Sequence, residues 1–209
     1  MEQIDLALFH NPANSGWYIK KALLLPPVYD SEESIDATRN NVAQSIAALR
    51  KRRLNVTDPV SEVATTGFHL AYHDKNNRHL MKEIAKLHIS ACPQLTYEAQ
   101  HCRSRKSEKK KALRVGFISS FFRDHTVGKF TRGTIKQLTR KHFEVFVFRL
   151  PRRPDAISRF IDAAADKVIL LTGKLKEDQA RIENAEMDIL FYPDIGMSPL
   201  TYFLAFSRL

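Results

Sequence analysis

The stretch Leu113–Thr126, LRVGFISSFFRDHT, decides the fold because it leads from an apolar run through a polar loop toward a helix. Residues Leu113–Ile118 form a compact apolar segment with β-branched side chains, which predicts a buried strand. A helix is predicted over Val127–Arg140. The apolar period of that helix places Val127, Phe130, Thr134 and Leu138 on its inner face. A strand that continues into a helix is the repeating unit of α/β domains.

The same alternation continues to the end of the chain. Further strands are predicted at Phe143–Leu150, Lys167–Leu171 and Asp188–Tyr192. Helices are predicted at Pro154–Ala165, at Lys174–Glu186 as a charged and exposed element, and after Ser198 as an N-cap with Pro199 at the first position. Four apolar strands separated by helices predict an α/β fold with a Rossmann-like parallel sheet, covered on both faces.

The region before this pattern is predicted to be helical. Asp30 and Glu33 fit a capping box at the start of a helix whose apolar stripe comprises Ile35, Val42, Ile46 and Leu49. A second helix is predicted over Asn76–Ala91. We therefore expect three parts: a helical region over 1–102, a basic linker over 103–112, and an α/β domain over 113–209.

Composition limits the classes of function. The chain has 209 residues, a net charge of +10 and two cysteines, which are too few for a disulfide framework. The excess positive charge fits a solvated surface better than a nucleic-acid site, because base-reading motifs do not appear; binding of polyanions through the linker is the alternative. No signal pattern and no apolar run long enough to cross a bilayer appear. We therefore expect a cytoplasmic protein without nucleic-acid or membrane partners.

Ligands of an open parallel sheet bind beyond the carboxyl ends of its strands. Three loops fall there: Ser119–Thr126, Pro151–Pro154 and Pro193–Ser198. His125 precedes a helix and could act as a general base or orient a hydroxyl, or could simply cap the helix. Asp194 could accept a proton or bind a sugar hydroxyl, or only satisfy the backbone of a turn, and Gly196 could serve a turn that needs a positive φ.

Several cofactor sites are excluded by pattern. The loop after the first strand has neither G-x-G-x-x-G nor G-x-x-x-x-G-K-[ST], so a dinucleotide site and a P-loop are not expected. A zinc site is not expected either, because no standard zinc spacing occurs among the candidate ligands His88, Cys92, His101 and Cys102.

Four stretches together resemble a known family. They are FHLAYHDKNNRHLMKEIAKLHISACPQLTYEAQHC (68–102), LRVGFISSFFRDHTVGKFTRG (113–133), HFEVFVFRL (142–150) and DILFYPDIGMSPLTYFLAFSRL (188–209). In content and order they are similar to bacterial O-GlcNAc transferases and SPINDLY-like glycosyltransferases of family 41. The resemblance covers most of the chain from Pro26 onward. The family often has Asp and Gly in the loop where this chain has Phe121 to Arg123.

The resemblance implies two Rossmann-like lobes in the GT-B arrangement, preceded by helical repeats. It implies transfer of GlcNAc from UDP-GlcNAc to Ser or Thr of an acceptor protein, without a metal or another cofactor. It also implies a truncated chain that lacks the donor pocket, is inactive alone and leaves apolar surface exposed at Phe191, Tyr202, Phe203, Leu204 and Phe206. The alternatives are a non-catalytic binding module for polyanions or proteins, and a transferase with another sugar donor or an Asn acceptor.

The candidate site follows from two arguments, the position of the loops at the carboxyl ends of the strands and the family resemblance. His125 is carried over as a cleft residue and is our candidate catalytic residue. The candidate substrate-binding residues are Ser119, Ser120, Arg123, Asp194 and Gly196.

Overall fold

The computed structural model describes residues 2–103 and 111–209, so most of the predicted linker lies outside the described residues. The chain divides into two compact units, Met1–Leu95 and Thr96–Leu209. The predicted divisions at 102/103 and 112/113 remain predictions.

The first unit is helical, as predicted. Its helices are α1 (Glu2–His10), α2 (Ser15–Ala22), α3 (Glu32–Leu49), α4 (Pro59–Glu62) and α5 (Arg78–Ala91), with 3-10 turns at Phe68–His73 and Pro93–Thr96. Fully buried aliphatic side chains form its core, among them Ile19, Ile46, Val63, Leu70, Ile84 and Leu87. The predicted stripe of α5 is confirmed, since Leu80, Ile84, Leu87 and Ala91 are all buried.

The predicted start of α3 is wrong by one residue. Ser31, not Asp30, is the N-cap: its hydroxyl accepts a hydrogen bond from the Ser34 amide at 3.2 Å. The Ser34 hydroxyl in turn accepts from the Ser31 amide at 3.3 Å, which completes the capping box without Glu33. Three of the four predicted stripe residues, Val42, Ile46 and Leu49, are buried.

The second unit contains a four-stranded sheet in the order β3-β2-β1-β4, in which every pairing is parallel. Its elements are α6 (Gln100–Arg103), β1 (Leu113–Ile118), α7 (Thr126–Gln137), β2 (Phe143–Arg149), α8 (Ala156–Ala164), β3 (Lys167–Leu170), α9 (Leu175–Glu183), β4 (Ile189–Phe191) and α10 (Pro199–Leu204). The predicted α/β class with a parallel sheet is therefore confirmed.

The sheet register aligns the strand ends from which the functional loops leave. β1 pairs with β2 from Leu113↔Phe143 to Ile118↔Phe148, and with β4 from Val115↔Ile189 to Phe117↔Phe191. The chain moves from β1 outward to β3 and then returns to the other side of β1. Right-handed crossovers therefore place α7 and α8 on one face and α9 on the opposite face.

One buried cluster holds α7 and α8 on the sheet. It comprises Val115, Phe117, Phe122, Ile135, Val145, Val147, Ile157 and Ile161. Most of the predicted inner face of α7 is wrong, since Gly128, Thr131 and Ile135 are buried and Phe130 is 82% exposed. Of the predicted residues, Leu138 does pack against the cluster. Both sets have helical spacing. The buried set includes Gly128, against which the preceding loop packs too closely for a larger residue.

Three other expectations are also corrected. The strands at the two edges, β3 and β4, are only partly covered: Leu170 is 43% exposed and Phe191 is 47% exposed. The helix α9 is not wholly exposed, because Leu175, Asp178, Gln179 and Ile182 are buried. Of the residues expected to be exposed near the end of the chain, Tyr202, Phe203 and Leu204 are buried, because α10 packs on α9 through its apolar face.

Candidate functional site

The candidate site lies beyond the carboxyl ends of β1 and β4. These neighbouring strands leave the sheet toward connections on opposite sides, which makes the gap between them a topological switch point. The loop after β1 carries Ser119 to His125, and the loop after β4 carries Asp194 to Ser198. Ser119 is itself tied to the sheet, because its amide donates to the Phe148 carbonyl at 3.2 Å.

Two direct contacts join these loops. The Ser120 and Ser198 hydroxyl oxygens lie 2.8 Å apart, and the Ser120 amide donates to Asp194 Oδ2 at 3.4 Å. The Ser119 hydroxyl accepts from the Phe121 amide at 2.9 Å and so shapes the first turn of its own loop. Ser120 and Asp194 are therefore brought into contact, and the Ser119 hydroxyl serves both the local backbone and the Asp194 carboxyl.

Asp194 is a buried carboxylic acid, only 1% exposed. Burial raises its pKa to about 6, against the opposing effect of the Ser120 amide. Its Oδ1 atom is buried and accepts no hydrogen bond from the part of the chain that the structure describes. A carboxyl group with this pKa can exchange a proton near neutral pH. In this conformation, however, the carboxyl is covered by the two loops and does not reach solvent.

Gly196 lies at the tip of the loop after β4, with a φ of +89°. The Met197 amide donates to the Asp194 carbonyl at 2.9 Å and closes the turn around this glycine. A positive φ is readily adopted by glycine and is strained for residues with a side chain. The positive φ of this turn is enough to explain why residue 196 is glycine, and no contact with a ligand is needed to explain it.

His125 is half-buried and is the N-cap of α7. Its Nδ1 accepts a hydrogen bond from the Val127 amide at 3.2 Å, and its ring stacks on Phe121 with centroids 4.5 Å apart. Because Nδ1 is an acceptor, the neutral ring carries its proton on Nε2. This tautomer can donate a hydrogen bond to a substrate oxygen. To act as a base through Nε2, the ring would have to move its proton to Nδ1 and lose the cap.

Arg123 projects from the same loop. Its guanidinium carbon lies 5.5 Å from the centre of the Phe121 ring, and its Nε is buried without a hydrogen-bond acceptor among the described residues. A Cβ atom on Gly128 would lie 2.3 Å from the Arg123 carbonyl oxygen. The loop can therefore close onto the first turn of α7 only because residue 128 is glycine.

Two contributors to this site were missed from the sequence. Thr201 is fully buried, and its hydroxyl donates to the Ser198 carbonyl at 3.2 Å, which fixes the loop after β4. Asp155 accepts hydrogen bonds from the Ser158 amide and from the Asp124 amide, each at 2.8 Å. The motif D-x-x-S at 155–158 is a recognisable capping box, but its second contact with the loop after β1 depends on tertiary structure.

Searches of the described residues for metal and membrane features give two findings. No group of three or more His, Cys, Asp or Glu side chains in residues 2–103 and 111–209 is arranged to hold a metal ion. Within those residues, no helix has the length and apolar character needed to span a bilayer.

Comparisons with known proteins give a likeness of fold. No protein-family model matches the sequence. No curated protein is a significant match either. Among solved structures, the chain is similar to a K341M mutant of the O-GlcNAc transferase from Thermobaculum terrenum, with a TM-score of 0.54 and 17% identity. The similarity covers 99% of this chain and 38% of that transferase. The protein thus has a fold found in part of a bacterial glycosyltransferase.

Proposed function

We propose that this chain is part of a glycosyltransferase of the protein O-GlcNAc transferase type. In this proposal, residues 113–209 are the leading part of the first Rossmann-like lobe, residues 103–112 are a linker and residues 1–102 are a helical connecting region. The complete enzyme would transfer GlcNAc from UDP-GlcNAc to Ser or Thr of an acceptor protein. The observation that carries the proposal is the likeness of fold to the Thermobaculum terrenum transferase, together with polar loops meeting at the switch point.

The geometry supports different roles for the candidate residues. His125 offers Nε2–H from a half-buried ring at the cleft edge and would contact the acceptor hydroxyl or the donor sugar. Asp194 and Ser120 hold the two loops together. We assign these two residues a role in shaping the site and not in the chemistry. Arg123 supplies a positive charge for an anionic substrate. Ser119 and Gly196 support the backbone of these loops.

A pair of substitutions at His125 separates capping from a role in transfer. His125→Asn keeps a side-chain acceptor for the α7 amides, whereas His125→Ala removes it and is expected to lower the free energy of unfolding by about 0.5–2 kcal/mol. We expect His125→Asn to preserve the melting temperature. If the imidazole takes part in the chemistry, both variants lower the transfer rate by about 100-fold or more.

The measurement is transfer of labelled GlcNAc to a Ser/Thr peptide by the full-length product of the gene that encodes this chain. The melting temperature of the same samples measures how much the His125 cap contributes to stability. Turnover by His125→Asn within twofold of the wild-type rate would remove His125 from the catalytic site. No transfer by the wild-type product, with UDP-GlcNAc or with other nucleotide sugars, would refute the proposed activity itself.

A further inference from the structure

A cavity of about 320 Å³ lies between the loops that follow β1 and β2. Ser120, which contacts Ser198, also lines this cavity. Three of its arginines, Arg123, Arg152 and Arg153, lie in two of the loops that the sequence places at the ligand edge of the sheet. Its lining is polar and strongly basic, and the residues that matter for its charge are Arg123, Arg149, Arg152, Arg153, Asp155 and Ser158. Four guanidinium groups around one cavity repel each other unless anions compensate them.

One of the four arginines is already neutralised. Arg149 makes two hydrogen bonds with Asp162, from Nε at 2.8 Å and from Nη2 at 2.5 Å. This two-point contact is the geometry in which a guanidinium binds a carboxylate most strongly, and it raises the pKa of Arg149. Arg149 therefore lines the cavity, but its charge is compensated by Asp162 and does not attract a further anion.

The other three arginines have no ion pair with any residue that the structure describes. Arg152 and Arg153 are exposed in the loop after β2. Asp155 is the acidic residue of the cavity lining, and its carboxylate is held in the charged form because backbone amides lower its pKa. Three free guanidinium groups against one carboxylate leave two positive charges uncompensated at this cavity.

Arg123 adds an independent observation about hydrogen bonding at the cavity. Its Nε is shielded from water and donates to no acceptor among the described residues. A buried donor without a partner is unfavourable by about 1–3 kcal/mol, and more when the group is charged. In this conformation the cavity can offer a ligand only the more exposed part of the guanidinium, and a phosphate oxygen would reach the Nε donor only if the Arg123 side chain shifted.

The walls of the cavity are fixed in place before any ligand binds. Asp155 Oδ2 accepts from the Asp124 amide and Oδ1 accepts from the Ser158 amide, each at 2.8 Å. The Ser158 hydroxyl accepts from the Asp155 amide, also at 2.8 Å. The carboxylate thus occupies the N-terminus of α8, so the guanidinium groups, and not the helix end, are available for an anion.

We propose that this cavity is a binding site for a phosphate group that carries two negative charges. Guanidinium groups match the spacing of phosphate oxygens with paired N–H donors. The uncompensated charge of the lining equals the charge of a phosphate monoester near neutral pH. The group can belong to a phosphorylated side chain of a protein or to a nucleotide. Arg123 is shared with the proposed transferase site, but binding of phosphate here can be tested without sugar transfer.

The direct readout is the nuclear magnetic resonance of the arginine Nε–H groups during titration with inorganic phosphate. The Arg123 signal, identified by its loss in Arg123→Lys, is expected to shift saturably with a Kd below about 1 mM. The Arg149 signal is the internal control, since its Nε–H remains on Asp162. Equal shifts of both signals, or none up to about 10 mM phosphate, would overturn the proposal.

Charge-matched variants test whether the site or the overall charge binds the anion. Arg152→Gln combined with Arg153→Gln removes two exposed charges at the cavity and is expected to weaken phosphate binding about tenfold or more. Lys51→Gln combined with Arg53→Gln removes two exposed charges from the first unit. This control is expected to change the Kd for phosphate less than about twofold. Equal weakening by both double variants would refute a dedicated site.

A final comparison distinguishes the sources of the phosphate group. Titrations with a phosphoserine peptide, the same peptide without phosphate, and UDP use the same Arg123 readout. Tighter binding of the phosphopeptide assigns the site to a phosphorylated partner, and tighter binding of UDP assigns it to a nucleotide. These titrations require no turnover. The phosphate-binding proposal and the transferase proposal can therefore fail independently of each other.

Discussion

At the scale of single residues, Asp194 links the stability of the second unit to pH. Its pKa is about 6 in the folded protein, above the ordinary value of 3.8, because the carboxyl is buried. The folded state therefore binds this proton more tightly than the unfolded state does. The stabilisation is fully present below about pH 4 and is lost as the pH rises through about 6.

Replacing Asp194 with Asn should remove this dependence. We expect the Asp194→Asn variant to be more stable than the wild-type protein at pH 7, by up to about 3 kcal/mol, because the amide carries no charge to bury. The difference between the two proteins should shrink toward pH 4. Urea unfolding at several pH values measures it, with the exposed Asp30→Asn as the control. A wild-type protein that gains stability relative to Asp194→Asn as the pH rises would contradict the assignment.

Single residues also show where sequence reasoning ends. The position of His125 before a helix was predictable, because a helix was predicted to begin at Val127. Its tautomer was not, since that depends on which atom accepts from the Val127 amide. Asp194 could equally have served a turn or a ligand. Its burial follows from the packing of two loops that are distant in the sequence. A local sequence pattern does not reveal that these loops pack together.

At the scale of elements, the first turn of α7 depends on a glycine. Gly128 and Gly133 lie in the same helix, but a Cβ on Gly128 would lie 2.3 Å from the Arg123 carbonyl oxygen, whereas one on Gly133 meets nothing within 4 Å. We expect Gly128→Ala to destabilise the protein by at least about 1–3 kcal/mol through overpacking. Gly133→Ala is expected to stabilise it by about 0.5–1 kcal/mol, because alanine favours the helix.

Chemical denaturation of the two variants checks this pair. Both substitutions add one methyl group to α7, so the difference between them isolates the contact with the loop after β1. Equal effects on the free energy of unfolding would show that the loop does not press on the helix. Destabilisation by Gly133→Ala would show that helix propensity does not act at that position.

The β4 strand forms an edge of the sheet, and within the described part of the chain it pairs only with β1. Ile189 is 45% exposed on it. An exposed apolar edge favours pairing with other chains, and a lysine opposes it. We expect Ile189→Lys to lower self-association in sedimentation experiments. Phe130→Lys is the control, since Phe130 is 82% exposed on a helix; an equal effect of Phe130→Lys would assign association to apolar surface in general.

The elements that were predicted best are those whose signal is local. The four strands were found within one or two residues, because short apolar runs between polar loops are distinctive. Most of the predicted inner face of α7 was wrong, because two sets of residues share the helical spacing and only the fit of Gly128 decides between them. The coverage of β3 and β4 also depends on strand order, which residue patterns alone do not reveal.

At the scale of the whole molecule, the net charge of +10 makes a prediction about polyanions. We expect DNA to bind weakly and without sequence preference, and affinity to fall more than about tenfold between about 50 mM and 200 mM salt, because binding without a dedicated site depends on counterion release. Fluorescence anisotropy with two unrelated duplexes measures it. Retained binding at the higher salt concentration, with a preference for one duplex, would favour the alternative of a polyanion-binding module.

The double contact of Asp155 has a consequence for the speed of recognition. Since one carboxylate fastens the loop after β1 to the beginning of α8, the arginine cavity offers a ready-made shape. A ligand then loses little free energy to ordering the backbone on arrival. Encounters should accordingly be fast, driven by long-range attraction and slowed by added salt, and differences in affinity between ligands should arise mainly from how quickly each one leaves.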